Sequence, residues 1–261
     1  MAGPAVSVTR VRQQLEWRAA GPGGAPAGTL RAWLRPDQRC AVCFDSARPQ
    51  AYLPLTAAAA AELRRDLYAS VDDADAGELA GCLAAGFTVT RRESYLIIPV
   101  DAAMAGLGAA ALPDGVAVLS AAGADEDRLR LLDDELRQDV PGSDGWRWDA
   151  EGFRRETFSL EFDPATYLVA TDTATGEYAG LVRVWNSSAG PRLGLIAVRP
   201  GYRRRGLARA LLRRAFAVLG ERGQAEVTAE VDDTNEASRT LLASLGARRS
   251  GGCAALTRAA G

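Results

Sequence analysis

Residues 193–198 hold a short apolar run, Leu193, Leu195, Ile196 and Val198, followed by Pro200-Gly201, by Arg203-Arg204-Arg205-Gly206 and by a long amphipathic stretch. An apolar run bounded by turn residues reads as a strand covered on both faces, and Pro-Gly ends it. After it, Leu207, Leu211, Ala215 and Val218 form one apolar row, and Ala208, Leu212, Phe216 and Leu219 a second. That 3.6-residue spacing predicts a helix, with Arg209, Arg213 and Arg214 off the stripe and facing solvent. A strand that turns tightly into a helix presents unpaired N–H groups and the positive end of the helix dipole at one point. Gly206 lets a ligand approach the backbone and makes unusual φ values cheap. The guanidinium forks of Arg203, Arg204 and Arg205 match phosphate oxygens, so the arrangement is suited to an anion, above all a pyrophosphate.

Two plainer readings compete with that one. The first is a solvated, arginine-rich helix start. The second is a nucleic-acid patch, since six arginines fall between positions 203 and 214; the net charge of −2 and the scarcity of aromatics there argue against it.

The absences narrow the chemistry. All 31 basic residues are arginine, and the chain has neither histidine nor lysine. Ser-His-Asp and Cys-His nucleophile systems are excluded, as are a lysine P-loop, a lysine Schiff base and histidine-containing zinc sites. Acid–base work falls to carboxylates, Tyr, Cys, water or the substrate. Cys40 and Cys43 form a CxxC in a strand-like segment with no second pair, which reads as structural rather than metal-binding, and no metal is expected. No apolar run reaches membrane-spanning length, and no hydrophobic signal region opens the chain, so a cytoplasmic protein with neither membrane nor nucleic-acid partners is expected.

The 261 residues suggest one large or two modest domains. Asp101–Gly115, rich in Ala and Gly, reads as a linker between two halves. The halves share a pattern: Leu67-Tyr-Ala-Ser-Val-Asp-Asp-Ala-Asp75 parallels Val227-Thr-Ala-Glu-Val-Asp-Asp-Thr-Asn235 at an offset of 160, and Gly86 stands to Gly246 at the same offset. Such self-similarity indicates an internal repeat. In the second half, strands are expected at 115–120 and as a hairpin at 167–171 and 178–185. Helices are expected at 126–137, with leucines inward and acids outward, and at 149–158.

The pattern Arg203-x-x-Gly206-x-Ala208 resembles the coenzyme A loop, Gln/Arg-x-x-Gly-x-Gly/Ala, of the GNAT superfamily of N-acetyltransferases. The likeness extends to the strand before the loop, to a second strand near Ala225–Val231, to Asn235 at a helix start and to Leu245-Gly246 at its end. It covers roughly residues 115–261. Residues 1–110, whose strand Cys40–Phe44 leads into a turn without glycine, then read as a degenerate GNAT-like unit. The resemblance implies an α/β fold with a mixed, mostly antiparallel central sheet flanked by helices, in two GNAT-like halves.

It also implies acetyl-CoA as co-substrate and direct attack by a primary amine in a ternary complex. The acceptor would be a small metabolite, an aminoglycoside-like compound or a peptide amine. The backbone of Ile196, Ala197 and Val198 would pair with the pantetheine arm. The N–H groups of Arg204, Arg205, Gly206, Leu207 and Ala208 would cradle the pyrophosphate, with Arg203 also binding the cofactor. Asn235 and Ser238 match positions that contact the cofactor arm, against plain roles as helix cap and surface hydroxyl. Asp144, Trp146 and Trp148 lie where relatives line the acceptor site, against a role as loop anchors.

The sequence departs from the family twice. Leu242 stands where many relatives carry a tyrosine, and Leu193, Gly194 and Leu195 offer no glutamate. Glu230 becomes the candidate proton relay, with Asp232 beside it, against plain roles as solvent-facing or capping carboxylates; Tyr178, Glu161 and Cys253 are weaker candidates, and cofactor positioning with a water chain alone is the alternative. The rival is a protein that holds an acyl-CoA as sensor or scaffold without turnover. The fold often dimerises, so a homodimer is also expected.

Overall fold

The computed structural model describes residues 6–11 and 13–260. In chain order the elements are β1 (Ser7–Arg10), β2 (Glu16–Ala20), β3 (Pro26–Leu34), β4 (Cys40–Asp45), α1 (Tyr52–Leu63), β5 (Leu67–Asp72), α2 (Ala76–Ala84), β6 (Thr88–Pro99) and α3 (Val100–Leu107). They continue with β7 (Val116–Ser120), α4 (Glu126–Arg137), α5 (Ala150–Thr157), β8 (Tyr167–Asp172), β9 (Tyr178–Ser187), β10 (Gly190–Val198), α6 (Leu207–Glu221), β11 (Glu226–Asp232), α7 (Glu236–Ala243) and β12 (Arg248–Arg258). The 160-residue offset reappears in the elements. α2 begins at Ala76 and α7 at Glu236, and β6 begins at Thr88 and β12 at Arg248. Asp75 caps α2 by accepting from Glu78 N at 2.7 Å, as Asn235 caps α7 by accepting from Ser238 N at 3.1 Å.

The chain forms two compact units, Met1–Glu93 with Gly251–Gly261, and Ser94–Ser250. In the first, β1 through β4 form an antiparallel meander, and β5 runs parallel to β4 and antiparallel to β12. Its core joins Trp17, Leu30, Leu55, Leu67, Phe87 and Leu256. β4 and β5 pair in parallel only at Cys40↔Leu67 and Ala41↔Tyr68. Beyond that point Phe44 packs on Tyr52 and Phe87, with ring centroids 4.6 and 6.4 Å apart.

In the second unit the antiparallel strands β7, β8, β9 and β10 are followed by β11, parallel to β10. One face packs on α3, α6 and α7 through Val182, Val184, Leu193, Leu211, Phe216 and Leu242. The other packs on α4 and α5 through Leu129, Leu132, Phe153, Tyr167, Leu181 and Leu195. With both faces covered, β9 carries an unbroken buried run from Tyr178 to Val184.

Three expectations need correcting. The stretch read as a linker contains α3, whose Val100, Ala103 and Leu107 are buried; alanine and glycine hid a short apolar helix face. Arg209 and Arg213 do not simply face solvent. Arg209 Nη2 donates to Gly106 O, and Arg213 Nε to Gly108 O at 2.7 Å, so both side chains satisfy carbonyls at the end of α3. The acids of α4 are not all outward: Asp133 and Asp134 are fully buried.

Candidate functional site

The site begins with a bulge. On β10, Leu193 pairs with Val184 and Leu195 with Arg183, so Gly194 is an extra residue between consecutive partners on β9. Simple alternation would place Leu193 and Leu195 on one face. The bulge instead sends them into opposite cores. Glycine suits this position, because a Cβ on Gly194 would lie 2.5 Å from Trp185 Nε1 and force that ring to shift.

Because the bulge redirects β10, its parallel pairing with β11 is confined to Arg192↔Thr228 and Leu193↔Ala229. The strands then part around a cleft of about 90 Å³. β10 contributes Leu193–Ile196 to its walls, β11 contributes Ala229–Asp232, and α7 closes it with Asn235, Ser238 and Leu242. The β10 edge facing the cleft offers its N–H and C=O groups to an extended ligand, as a sheet edge offers them to an added strand.

Beyond β10 the chain reaches α6 through a short 3₁₀ turn at Pro200–Tyr202. Arg204 (φ 60°) and Gly206 (φ 83°) are left-handed, and such alternation points successive N–H groups into one concavity. No side chain caps the amino end of α6, whereas α2, α4, α5 and α7 are each capped by an Asp or Asn. Uncapped donors, the dipole and the exposed Arg204 and Arg205 fit an oligophosphate. A Cβ at Gly206 would meet nothing within 4 Å, so the space over the loop is open.

The predicted residues divide by role. Ile196, Glu230, Asn235 and Ser238 all line the cleft. Ala197 and Val198 continue β10 opposite Leu181 and Gly180. Asn235 is also the cap of α7, so both of its readings hold in one residue. Arg203 is already engaged, since Nε donates to Val198 O at 2.8 Å and Nη2 to Asp139. It shapes the loop, while Arg204 and Arg205 remain the exposed cations; Arg205 lies over the Tyr202 ring at 5.7 Å. Leu207 is buried as the first residue of α6, with Ala208 half-buried after it.

The expected acceptor loop sorts differently. Trp148 is an anchor: its indole N–H donates to Asp133 Oδ1 at 3.1 Å and its backbone N–H to Asp134 Oδ1 at 2.9 Å. Trp146 packs edge-on against it, with centroids 4.4 Å apart. Asp144 is exposed, with φ 48°. None of the three lines the cleft; from this loop, Val140 does. The weaker acid–base candidates also lie off it. Tyr178 Oη accepts from Asp125 N at 2.9 Å, Glu161 O accepts from Asn186 N at 2.9 Å, and Cys253 is buried in the first unit.

A charged network under the α4 side escaped the sequence reading. Arg183, 6% exposed, pairs with Asp133 at 2.9 Å, and Asp133 also takes Arg137. Burial pushes the Asp133 carboxyl up, but the Arg183 and Arg137 charges outweigh it and hold the group below 3.8. For Asp134, burial wins and the carboxyl is raised, although the Trp148 N–H and Arg130 oppose it. Acids on an amphipathic helix signal a solvated face, and only Arg183 inside an apolar strand hinted otherwise.

Residues 129–247 match the Acetyltransferase (GNAT) family. The fold is shared, at identities too low to carry more than fold, with a GCN5-related N-acetyltransferase from Sphaerobacter thermophilus (TM-score 0.72, 19% identity, 96% of this chain and 82% of that chain). It is shared also with a tandem GNAT protein from the clavulanic acid biosynthesis pathway (0.68, 19%, 100% and 85%), and with a GCN5-related N-acetyltransferase from Kribbella flavida (0.58, 16%, 97% and 90%). A search of curated protein sequences finds no match. Residues 129–247 thus resemble an acetyltransferase domain of the GNAT family, and the chain shares its fold with a tandem GNAT protein. Among the described residues no helix is long and apolar enough to cross a membrane, and no cluster of three His, Cys, Asp or Glu side chains is placed to hold a metal.

Proposed function

We propose that the second unit transfers the acetyl group of acetyl-CoA to a primary amine. The observation that carries this reading is that β10, one wall of the splayed cleft, leads through the Pro200–Tyr202 turn to the uncapped, arginine-flanked start of α6. The cleft suits an extended pantetheine arm laid along β10, and the α6 loop suits its pyrophosphate. The amine nitrogen attacks the thioester carbonyl; the C–N bond forms, the C–S bond breaks, and the nitrogen gives up a proton while the thiolate takes one. Glu230, exposed on the cleft wall, receives the amine proton through water in this reading. Leu242 offers no proton to the leaving thiolate, so that proton comes from solvent or from the amine itself.

Leu242 in the cleft also favours a second reading, an acyl-CoA-binding protein without turnover. Calorimetric titration with acetyl-CoA, followed by a thiol-release screen over an amine panel, separates the two. Binding with amine-dependent release supports the transferase. Binding without release across the panel supports the sensor, and no binding contradicts both.

A further inference from the structure

On the α4 side of the bulge, two buried donor groups lack an acceptor outside their own pair. Arg183 and Tyr167 are paired across β9 and β8 and are 6% and 1% exposed. Arg183 Nε and Tyr167 Oη find no hydrogen-bond partner beyond each other's side chains. Burial pushes the Tyr167 phenol up to about 12, against the pull of the Arg183 charge, so it keeps its proton at neutral pH. Trp185 covers this pair, with its ring centroid 4.9 Å from the Arg183 guanidinium. A Cβ on Gly194 would lie 2.5 Å from Trp185 Nε1 and 3.5 Å from Arg183 Nε, and Gly194 lines the cleft. Trp185 and Arg183 thus bring N–H groups to Gly194 on the cleft wall, with Tyr167 beside Arg183 on the neighbouring strand.

The charge there is also incomplete. Asp133 is a single carboxylate facing both Arg137 and Arg183, while the neighbouring Asp134 is matched by Arg130 at 3.6 Å. Buried donors without acceptors are rare in native structures, and each calls for a partner. A carboxylate answers every feature, because its oxygens accept from a guanidinium edge, a phenol and an indole, and its charge balances the second arginine. A neutral carbonyl would answer the donors and leave the charge.

We propose that Arg183, Tyr167 and Trp185 form a carboxylate subsite for the acceptor, so that the favoured substrates are amines that also bear a carboxylate. The proposal rests on the transferase reading of the cleft. Trp185, half-buried, borders the pair and presents its indole N–H beside Gly194.

The test is steady-state thiol release with matched amines: amino acids, their methyl esters and the corresponding decarboxylated amines. The acid should be used with kcat/KM about tenfold or more above its ester and its decarboxylated counterpart. Tyr167→Phe should raise KM for the acid about tenfold and leave KM for the decarboxylated amine in place. Trp185→Phe, which keeps a ring and loses the N–H, should act in the same direction. Equal kcat/KM across the matched amines, or a Tyr167→Phe effect equal for acid and decarboxylated amine, would overturn the subsite and leave the transferase intact. Absence of acetyl-CoA binding would remove both.

Discussion

Arg203 Nε donates to the carbonyl oxygen of Val198 at 2.8 Å, tying the last residue of β10 to the loop that opens α6. The same guanidinium reaches Asp139 beyond α4, and Arg199 at the other side of the turn holds Glu135 at 2.7 Å. The loop is therefore shaped from within. Arg203→Ala should weaken acetyl-CoA binding about fivefold to tenfold, the worth of one positioning hydrogen bond, with little change in salt dependence. Arg204→Ala and Arg205→Ala should instead flatten the salt dependence, because their exposed charges attract the phosphates through solvent. Calorimetric titrations at two ionic strengths distinguish these roles.

Gly206 sits at φ 83° with open space where a Cβ would go. Gly206→Ala therefore meets no clash and suffers only the left-handed backbone, at about 1 to 2 kcal/mol. The loop is exposed and relaxes away from that conformation, so the thermal midpoint should shift by a few degrees at most, roughly the effect of 1 kcal/mol. Acetyl-CoA affinity should fall about tenfold as the N–H groups lose their common aim.

Neighbouring buried acids on α4 should respond in opposite ways. Asp133→Asn leaves Arg183 without its counter-ion and should destabilise the protein by about 3 to 5 kcal/mol. Asp134→Asn keeps an acceptor for the Trp148 N–H, relieves a carboxylate that burial disfavours, and should be neutral or slightly stabilising at pH 7. The sign also appears in acid. The Asp133 carboxyl is held below 3.8 in the folded state, so its contribution is complete above pH 3.8 and is lost as the pH falls through the lowered value. Asp134, raised when folded, has the opposite slope between 3.8 and its own value. Urea unfolding of both variants from pH 3 to 7 checks the contrast.

Glu230→Gln tests the proton relay. If this carboxylate receives the amine proton through water, kcat should drop about a hundredfold while acetyl-CoA affinity holds. An unchanged kcat would assign the proton to solvent alone.

Much of this was legible in the sequence because it rests on local pattern. The period of α6, the turn at Pro200-Gly201 and the repeat through Val71 and Val231 depend on neighbours in the chain. What stayed hidden depends on partners distant in sequence. The burial of Asp133 follows from Arg183, fifty residues away on β9. The hold of Arg203 on Val198 removes it from the free cations that its motif suggested. Gly194 read simply as a residue lacking a glutamate side chain, yet it is the bulge that opens the cleft. Trp148 offered two roles, and its bonds to Asp133 and Asp134 favour the anchor.

The central claim is that the second unit alone holds the acyl carrier, because its first-unit counterpart lacks the glycine loop and has Phe44 and Tyr52 packed beyond the β4–β5 pairing. The stoichiometry of acetyl-CoA binding to the intact chain, with Gly206→Glu alongside, tests it most directly. The account predicts one equivalent per chain, abolished by Gly206→Glu with the fold intact. Two equivalents, none, or a single equivalent that survives Gly206→Glu would contradict it.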